Sequence, residues 1–351
     1  MEKILNVAIV GFGSSGQVFH GPMITSLPYF DLSKIQTKNL KTKELISRLY
    51  PKTDVVDSIE EILNDKCIDL VFVCTPNKYH YEIAKQALMA NKNVVVEKPF
   101  TVTSEQADEL IKLAKEKNKV LSVYQNRRWD SDFLTVQKII NNRLLGDIVE
   151  YEAHFDRYRN CIKDNWREEN TEGSGILYDL GSHLIDQVLV AFGLPSEVYA
   201  DIRKQRKDAK VDDNFEIILG YDNLKVTLKV GMLVRGNLPR YILLGTNGSF
   251  IKYGIDNQED LLKQGYTPKN LESFGKESKD IWGELDCDKN GVHFIGNIES
   301  EQGNYKAFYE NIYKAILGEE NLKVQPEQSR DVVRIIELCI QSSIEKKVIL
   351  L

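Results

Sequence analysis

The spacing of apolar positions changes once along the chain. Up to residue 124, short apolar runs alternate with stretches of helical period. Leu5 to Val10, Leu32 to Gln36, Ile68 to Cys74, Asn93 to Val96 and Lys119 to Tyr124 read as strands buried on both faces. Between them, Gln17 to Leu27 and Ser58 to Asn64 read as helices. Asn77 opens another, with Ile83, Ala84, Ala87 and Leu88 inward. Thr103 opens the next, with Gln106 completing a capping box and Ala107, Leu110, Ile111 and Ala114 as its inner face. Strict strand–helix alternation predicts a doubly wound parallel sheet with right-handed crossovers over residues 1–124.

Beyond residue 125 the period becomes two. Ser131 to Leu145 is one more helix. Val149, Tyr151, Ala153 and Phe155 then alternate with Glu150, Glu152, His154 and Asp156, the pattern of an antiparallel strand with one wet face. Similar strands follow at Glu197 to Arg203, Asn214 to Tyr221, Leu224 to Leu233, Arg240 to Gly245 and Ser249 to Tyr253. Asp222-Asn223 and Asn247-Gly248 serve as hairpin turns. Residues 125–351 are therefore expected to form an α+β domain around a large open antiparallel sheet. Residues 255 to 292 read as surface excursions. Two apolar stripes close the chain, one from Tyr305 to Ile316 and one from Val332 to Ile340; the last helix is the candidate to return to the first domain.

Candidate chemistry sits at the strand ends. Gly11-Phe12-Gly13-Ser14-Ser15-Gly16 is G-x-G-x-x-G between a strand and a helix, the arrangement that turns a Rossmann domain's helix N-terminus toward a pyrophosphate. The second strand ends Gln36-Thr37-Lys38-Asn39, without the acid that holds the ribose of NAD. Thr37 and Lys38 suit a 2′-phosphate, which argues for NADP over NAD, unless Lys38 is simply solvated. Thr75-Pro76-Asn77 ends the third run. His80, in the first turn of the next helix, is placed near this dinucleotide site, with a structural hydrogen-bonding role as the plainer alternative. The fourth run stops at Glu97-Lys98-Pro99, where proline forces a turn and delivers Lys98 beyond the carboxyl end of the sheet. In the second half, Asp179 and His183 are four apart on one helix face, with Asp186 one turn on. A carboxylate beside an imidazole raises its basicity. Gly181 is expected to leave room for a ligand, and Gly173-Ser174-Gly175 to form a flexible entry.

Composition narrows the classes. The 351 residues suffice for two domains, and 42% apolar with 28% charged residues is ordinary for a globular chain. A net charge of −6 gives no reason to expect nucleic acid or an anionic membrane, and no apolar run approaches a membrane span. The start of the chain runs straight into a strand, so no signal peptide is expected. Five scattered cysteines read as buried thiols of a cytoplasmic protein. No metal-ligand cluster stands out, so no metal is expected.

Together, the start-positioned glycine motif, Glu97-Lys98-Pro99, and Asp179-x-x-x-His183 resemble the Gfo/Idh/MocA oxidoreductases, over nearly the whole chain. Val18-Phe19-His20-Gly21-Pro22, Asn126 to Leu134, His154-Phe155-Asp156-Arg157-Tyr158-Arg159 and Trp166-Arg167-Glu168 resemble that family's NADP-dependent scyllo-inositol dehydrogenase branch. The resemblance implies that Lys98 orients the reacting hydroxyl and lowers its pKa, that His183 is general base with Asp179 its partner, and that Trp166 and Arg167 lie near the nicotinamide. A homodimer or homotetramer is also implied. The dinucleotide set is then Gly11, Phe12, Gly13, Ser14, Ser15, Gly16, Thr37, Lys38, Thr75, Pro76, Asn77, His80, Glu97, Trp166 and Arg167. Candidates to select a small polyol or sugar are Gln125, Asn126, Asp156, Arg157 and Arg159, the two arginines equally suiting a salt-bridge network with Glu150 or Asp156. The expected activity is oxidation of a cyclic polyol with NADP. An aldose dehydrogenase, or a dinucleotide-binding regulator without catalysis, are the alternatives.

Overall fold

The computed structural model describes residues 3–351; Met1 and Glu2 lie outside that range. Contacts divide the chain into two compact units. The first holds the chain up to Gln125 with Gln258–Phe274 and Tyr305–Arg330; the second holds Asn126–Asn257, Gly275–Asn304 and Asp331–Leu351.

In the first unit, β1 (Leu5–Val10), β2 (Phe30–Gln36), β3 (Asp54–Val56), β4 (Leu70–Val73), β5 (Asn93–Val96) and β6 (Leu121–Val123) form one sheet. Their order is β3-β2-β1-β4-β5-β6, and every pairing is parallel. The order reverses between β1 and β4, which creates the crevice where such sheets take ligands. All four residues of β4 and Val94 to Val96 are sealed from solvent, as their continuous apolar runs require. The connecting helices are α1 (Gly21–Ser26), α2 (Leu40–Leu49), α3 (Glu60–Leu63), α4 (His80–Met89) and α5 (Ser104–Lys117). The expected capping box opens α5: the Thr103 side chain accepts from the Gln106 amide while Gln106 returns to the Thr103 main chain. The expected first helix is split. A π-helical turn, Gly16–His20, precedes α1.

The second unit is built on nine strands. β7 (Ile148–His154), β8 (Glu197–Arg203), β9 (Asn214–Gly220), β10 (Lys225–Gly231), β11 (Tyr241–Gly245), β12 (Gly248–Lys252), β13 (Gly283–Lys289), β14 (Val292–Ile298) and β15 (Ile349–Leu350) run in the order β14-β13-β12-β11-β7-β10-β9-β8-β15. All pairings are antiparallel except β7 with β10. One face is covered by α6 (Ser131–Asn141), α7 (Ser182–Phe192) and residues 331–345 of the C-terminal helix. Phe133, Val136, Leu184, Val188, Ile336 and Cys339 meet Tyr151, Ala153, Val226 and Leu228 there. Each such side chain contributes roughly 1.5–3 kcal/mol by leaving water.

Three expectations change. The stretch read as surface excursions contains β13 and the first residue of β14, although Leu285 and Cys287 do alternate with Glu284 and Asp286 as a half-buried strand should. The last helix, Pro326–Glu345, returns only by its first turn: Pro326–Arg330 belongs to the first unit, while its Val332–Ile336–Cys339 stripe buries in the second unit's core. The preceding helix, Lys306–Leu317, belongs to the first unit instead: Phe308 and Tyr309 pack on Tyr124, and the Tyr313 hydroxyl donates to the Lys3 carbonyl. Finally, Cys67 and Cys161 are exposed, and only Cys74, Cys287 and Cys339 are buried.

The other sheet face is polar and laced with charge. Lys225 pairs with Glu150 at 2.9 Å and Lys229 with Glu152 at 3.0 Å. His154 bonds Asp156 through Nδ1 at 2.8 Å and Glu152 through Nε2 at 2.6 Å. Burial alone would lower the imidazole's pKa, but the bonds to Asp156 and Glu152 outweigh it and hold it raised. A raised folded value stabilises fully below the unfolded value, and the gain is lost as pH rises through the folded one. The loss of unfolding free energy in His154→Gln, measured by urea denaturation, is therefore expected to be larger at about pH 6 than at about pH 9.

Candidate active site

The first unit prepares a cradle at the carboxyl ends of β1, β2 and β4. Gly11 has φ +80°, and a Cβ there would lie 2.9 Å from Thr75 Cγ2 and 3.1 Å from the Cys74 main chain. A Cβ on Gly16 would lie 2.8 Å from the Phe12 ring. These two glycines serve close packing. Gly13 differs: nothing lies within 4 Å of its would-be Cβ, so this main chain faces open space. The helical turn begins immediately after, with the Gln17 amide donating to the Gly13 carbonyl at 2.9 Å. The arrangement fits a pyrophosphate, which needs bare main chain at a helix start. Phe12 is buried edge-on against Tyr50 and supports the loop from inside; Ser14 is exposed and Ser15 half-buried.

Thr37 and Lys38 follow β2. Thr37 is buried and its hydroxyl oxygen accepts from the Asn39 amide at 3.3 Å, while Lys38 extends into solvent. Thr75 and Pro76 follow β4, and the buried Asn77 opens a 3₁₀ turn, so α4 starts at His80 rather than at Asn77. His80 is a correction to its placing in the dinucleotide set. It is fully enclosed, with Nδ1 bonded to the Pro99 carbonyl and Nε2 to the Thr75 carbonyl, both at 2.9 Å. Burial lowers its pKa, so the neutral ring has one N–H to give to either carbonyl, and it lies between two site loops instead of presenting an edge to a ligand. Glu97 is likewise 8% exposed and internally engaged. Its Oε1 meets His20 Nε2 at 2.8 Å and its Oε2 accepts from the Lys98 amide at 3.1 Å. Burial would raise its pKa; the bond and charge of His20 and the charge of Lys98 overcome that and keep it below the usual range. Gln125 closes the rim after β6. It is 1% exposed, and its Oε1 has no hydrogen-bond partner among the described residues.

The second unit brings together residues that are far apart in sequence. Asp179 lies in a π-helical turn, Leu177–Gly181, that leads directly into α7 and His183. Arg157, Arg159, Arg167 and Asp179 line a common cavity with Arg206 and Asp212. Arg206 is held by Glu168 at 2.6 Å and Asp213 at 2.9 Å. Arg167 Nε stands 3.4 Å from Asp179 Oδ1, and its guanidinium covers the half-buried Trp166 ring at 4.5 Å. Phe155, read in the sequence as an inward residue of a strand, acts as a platform. The Arg157 guanidinium lies 5.3 Å from its centroid, and the His183 ring lies 6.5 Å away with 29° between planes. His183 is 5% exposed. One turn on, Asp186 chelates Arg128 through Nε at 2.8 Å and Nη2 at 2.7 Å, and Gln187 Nε2 donates to the Arg127 carbonyl at 2.9 Å. The helix bearing His183 is thereby pinned to the turn Asn126–Trp129, in which Asn126 is buried.

Three readings are corrected here. Gly181 does not make room for a ligand, since a Cβ there would lie 3.0 Å from Leu177 and 3.3 Å from Phe215 in the core. Gly173-Ser174-Gly175 is no flexible entry: all three are buried, the Ser174 hydroxyl donates to the Glu169 carbonyl at 2.7 Å, and Gly175 has φ +92° because Asp212 passes where a side chain would be. The Asp212 carboxyl, buried behind this turn, is pushed up to about 6 by loss of solvent, against the main-chain amides that bond it. Asp156, expected to read substrate, is committed to His154 and to the Gly231 amide at 2.8 Å. Among the described residues no group of three or more His, Cys, Asp or Glu is placed to hold a metal, and no helix is long and apolar enough to cross a membrane.

Comparison with known proteins follows this geometry. The model of the oxidoreductase family's NAD-binding Rossmann fold matches residues 5–125, and that of its C-terminal alpha/beta domain matches residues 137–351. The chain belongs to the Gfo/Idh/MocA family of oxidoreductases. This member is 42% identical over 347 residues to scyllo-inositol 2-dehydrogenase (NADP⁺) IolW of Bacillus subtilis, covering 99% of this chain and 96% of that protein. It is 40% identical to the uncharacterized oxidoreductase YdgJ of Escherichia coli, covering 98% and 97%. The solved structure of Bacillus subtilis yvaA superposes with a TM-score of 0.95 at 41% identity, over 100% of this chain and 99% of that one. This family member is an NAD(P)-dependent oxidoreductase acting on CH–OH groups.

Because Gly13 faces open space, Gly13→Leu should fold like the parent, with an unchanged thermal midpoint. Its dinucleotide affinity, measured by fluorescence titration, should fall at least about tenfold, or ~1.4 kcal/mol.

Proposed function

We propose that the protein is an NADP-dependent dehydrogenase of a cyclic polyol, with scyllo-inositol as the substrate to test first. The observation that carries this reading is the 42% identity to the Bacillus subtilis enzyme, which runs through both units. The end of β2 supports the cofactor assignment. It offers Thr37 and an exposed Lys38, and no carboxylate to repel a 2′-phosphate.

The bound nicotinamide supplies the acceptor for the carbinol hydrogen. The chain's own part is acid–base and positional. Lys98, leaving a turn whose main chain is fixed by Glu97, orients the reacting hydroxyl and stabilises the developing alkoxide. His183, held flat near Phe155, takes the hydroxyl proton as the C–H bond is broken. Asp179 and Arg167 form a polar wall beside it. Arg157, Arg159, Gln125 and Asn126 supply donors for the remaining hydroxyls, and a polyol lacking one of them leaves a buried group unpaired. Trp166, under Arg167, borders the nicotinamide end. Helices cover one face of the nine-stranded sheet, and the other face is open to self-association of the chain.

Lys98→Ala and His183→Ala should each lower turnover by roughly 10²–10⁴ while dinucleotide affinity stays nearly unchanged; a full rate in either variant removes that residue from the mechanism. Initial rates with scyllo-inositol, myo-inositol, glucose and xylose, each with NADP and NAD, test the substrate and cofactor together. The expected result is activity on an inositol and a lower KM for NADP. Activity confined to the aldoses, or a preference for NAD, would overturn the corresponding half of the proposal.

A further inference from the structure

The first unit contains a buried imidazole that the dinucleotide cradle does not use. His20 is 0% exposed and closes the π-helical turn that follows the glycine loop. Its ring is clamped between Phe72, at 4.8 Å, and Tyr124, at 4.4 Å. Both nitrogens are engaged. Nε2 meets Glu97 Oε1 at 2.8 Å, and Nδ1 meets the Tyr309 hydroxyl at 3.0 Å. The other oxygen of Glu97 accepts from the Lys98 amide at 3.1 Å. A continuous line of three hydrogen bonds thus runs from the helix Lys306–Leu317, through His20 and Glu97, to the backbone of Lys98.

The ionised Glu97 carboxylate only accepts, so His20 Nε2 carries the proton of that bond. The buried Tyr309 hydroxyl meets the other ring nitrogen, so the imidazole cannot rotate without breaking two buried bonds. With one oxygen so fixed, the carboxylate plane is set, and its second oxygen sets the Lys98 amide. The alternative, a purely structural histidine, would tolerate any ring of similar size. Here the wider spacing of a π turn, frequent at functional sites, places His20 against Glu97.

We infer that His20 is a positioning residue for Lys98: through Glu97 it fixes the backbone from which the lysine side chain departs, and it ties that backbone to the glycine loop and to Tyr309. The consequence for the reaction rests on the proposed role of Lys98. The geometric claim does not, because it concerns where Lys98 is held in the protein without ligand.

The test uses the full-length protein with His20→Leu, His20→Gln and Tyr309→Phe. In the ligand-free protein, competitive labelling with acetic anhydride, read by peptide mass spectrometry, reports the reactivity of Lys98 against the exposed Lys38. His20→Leu should change the Lys98 rate several-fold and leave Lys38 alone. Tyr309→Phe, which removes a single oxygen and keeps the packing, should move Lys98 in the same direction by less. His20→Gln, which retains a donor toward Glu97, should restore part of the parent value. With whichever polyol the parent turns over, His20→Leu should lower kcat by roughly ten- to a hundredfold while the KM for NADP changes little. If His20→Leu does not fold, the other two variants carry the measurement. Unchanged Lys98 labelling in every folded variant overturns the inference, even if thermal stability falls. Altered labelling with unchanged kcat keeps the inference and instead removes Lys98 from the proposed mechanism.

Discussion

Five main-chain hydrogen bonds close the carboxyl rim of the parallel sheet. The Gly11 amide donates to the Gln36 carbonyl at 3.2 Å, Thr37 to Val56 at 3.1 Å, Cys74 to Val10 at 2.8 Å, Glu97 to Val73 at 3.0 Å and Tyr124 to Val96 at 2.8 Å. Each joins the first residue of an exit to the last residue of the neighbouring strand. Every loop that carries a candidate group of the first unit therefore departs from a fixed point. In a parallel sheet the strands on either side of the switch send their connections to opposite faces, so no helix covers this rim from above. What remains open is main chain, and the nearest side chains, His80 and Glu97, are spent on holding it.

The second unit reaches similar rigidity by other means. The helix that carries His183 cannot rely on sheet edges, so charge and aromatic surface fix it. The Arg128–Asp186 pair is bidentate and buried, and the Tyr241 hydroxyl donates to the Gln187 side-chain oxygen Oε1 at 2.9 Å from the sheet below. Phe155 carries Arg127 at 4.9 Å and Arg240 at 4.7 Å, besides Arg157. Guanidinium groups on one ring can be close-packed without water because each also has an acid or a carbonyl: Arg127 meets Asp130 at 3.0 Å, and Arg240 meets Asp132 at 3.2 Å.

The alternation of buried strands and helices was legible because parallel strands are apolar throughout and end in glycine or proline. The same holds for the glycine motif and the Thr103 cap. The β3 strand was not legible: three residues at a sheet edge carry no period. Gly181 and the 173–175 turn misled for a shared reason. A glycine signals that something comes close, and sequence cannot say whether that is a ligand or, as here, Phe215 and Asp212. His20 and Phe155 are invisible for another reason. Their meaning lies in partners 77 and more residues distant in one case and in a ring shared by several arginines in the other. The ownership of the two closing helices turned on which stripe had aromatic hydroxyls. Tyr309 and Tyr313 need buried acceptors, and the first unit supplies them; the aliphatic Val332–Ile336–Cys339 stripe needs only a flat apolar sheet.

The lone parallel pairing in the nine-stranded sheet sets an order of assembly. β7 is made early, yet its two neighbours, β10 and β11, follow only after Lys225 and Tyr241 have been made. As the polypeptide leaves the ribosome, β7 waits with both edges bare while β8 and β9 can already zip into a hairpin. Its alternating Glu150, Glu152 and His154 then have a second use: a strand that must idle unpaired is kept from sticking to others by the charges along it.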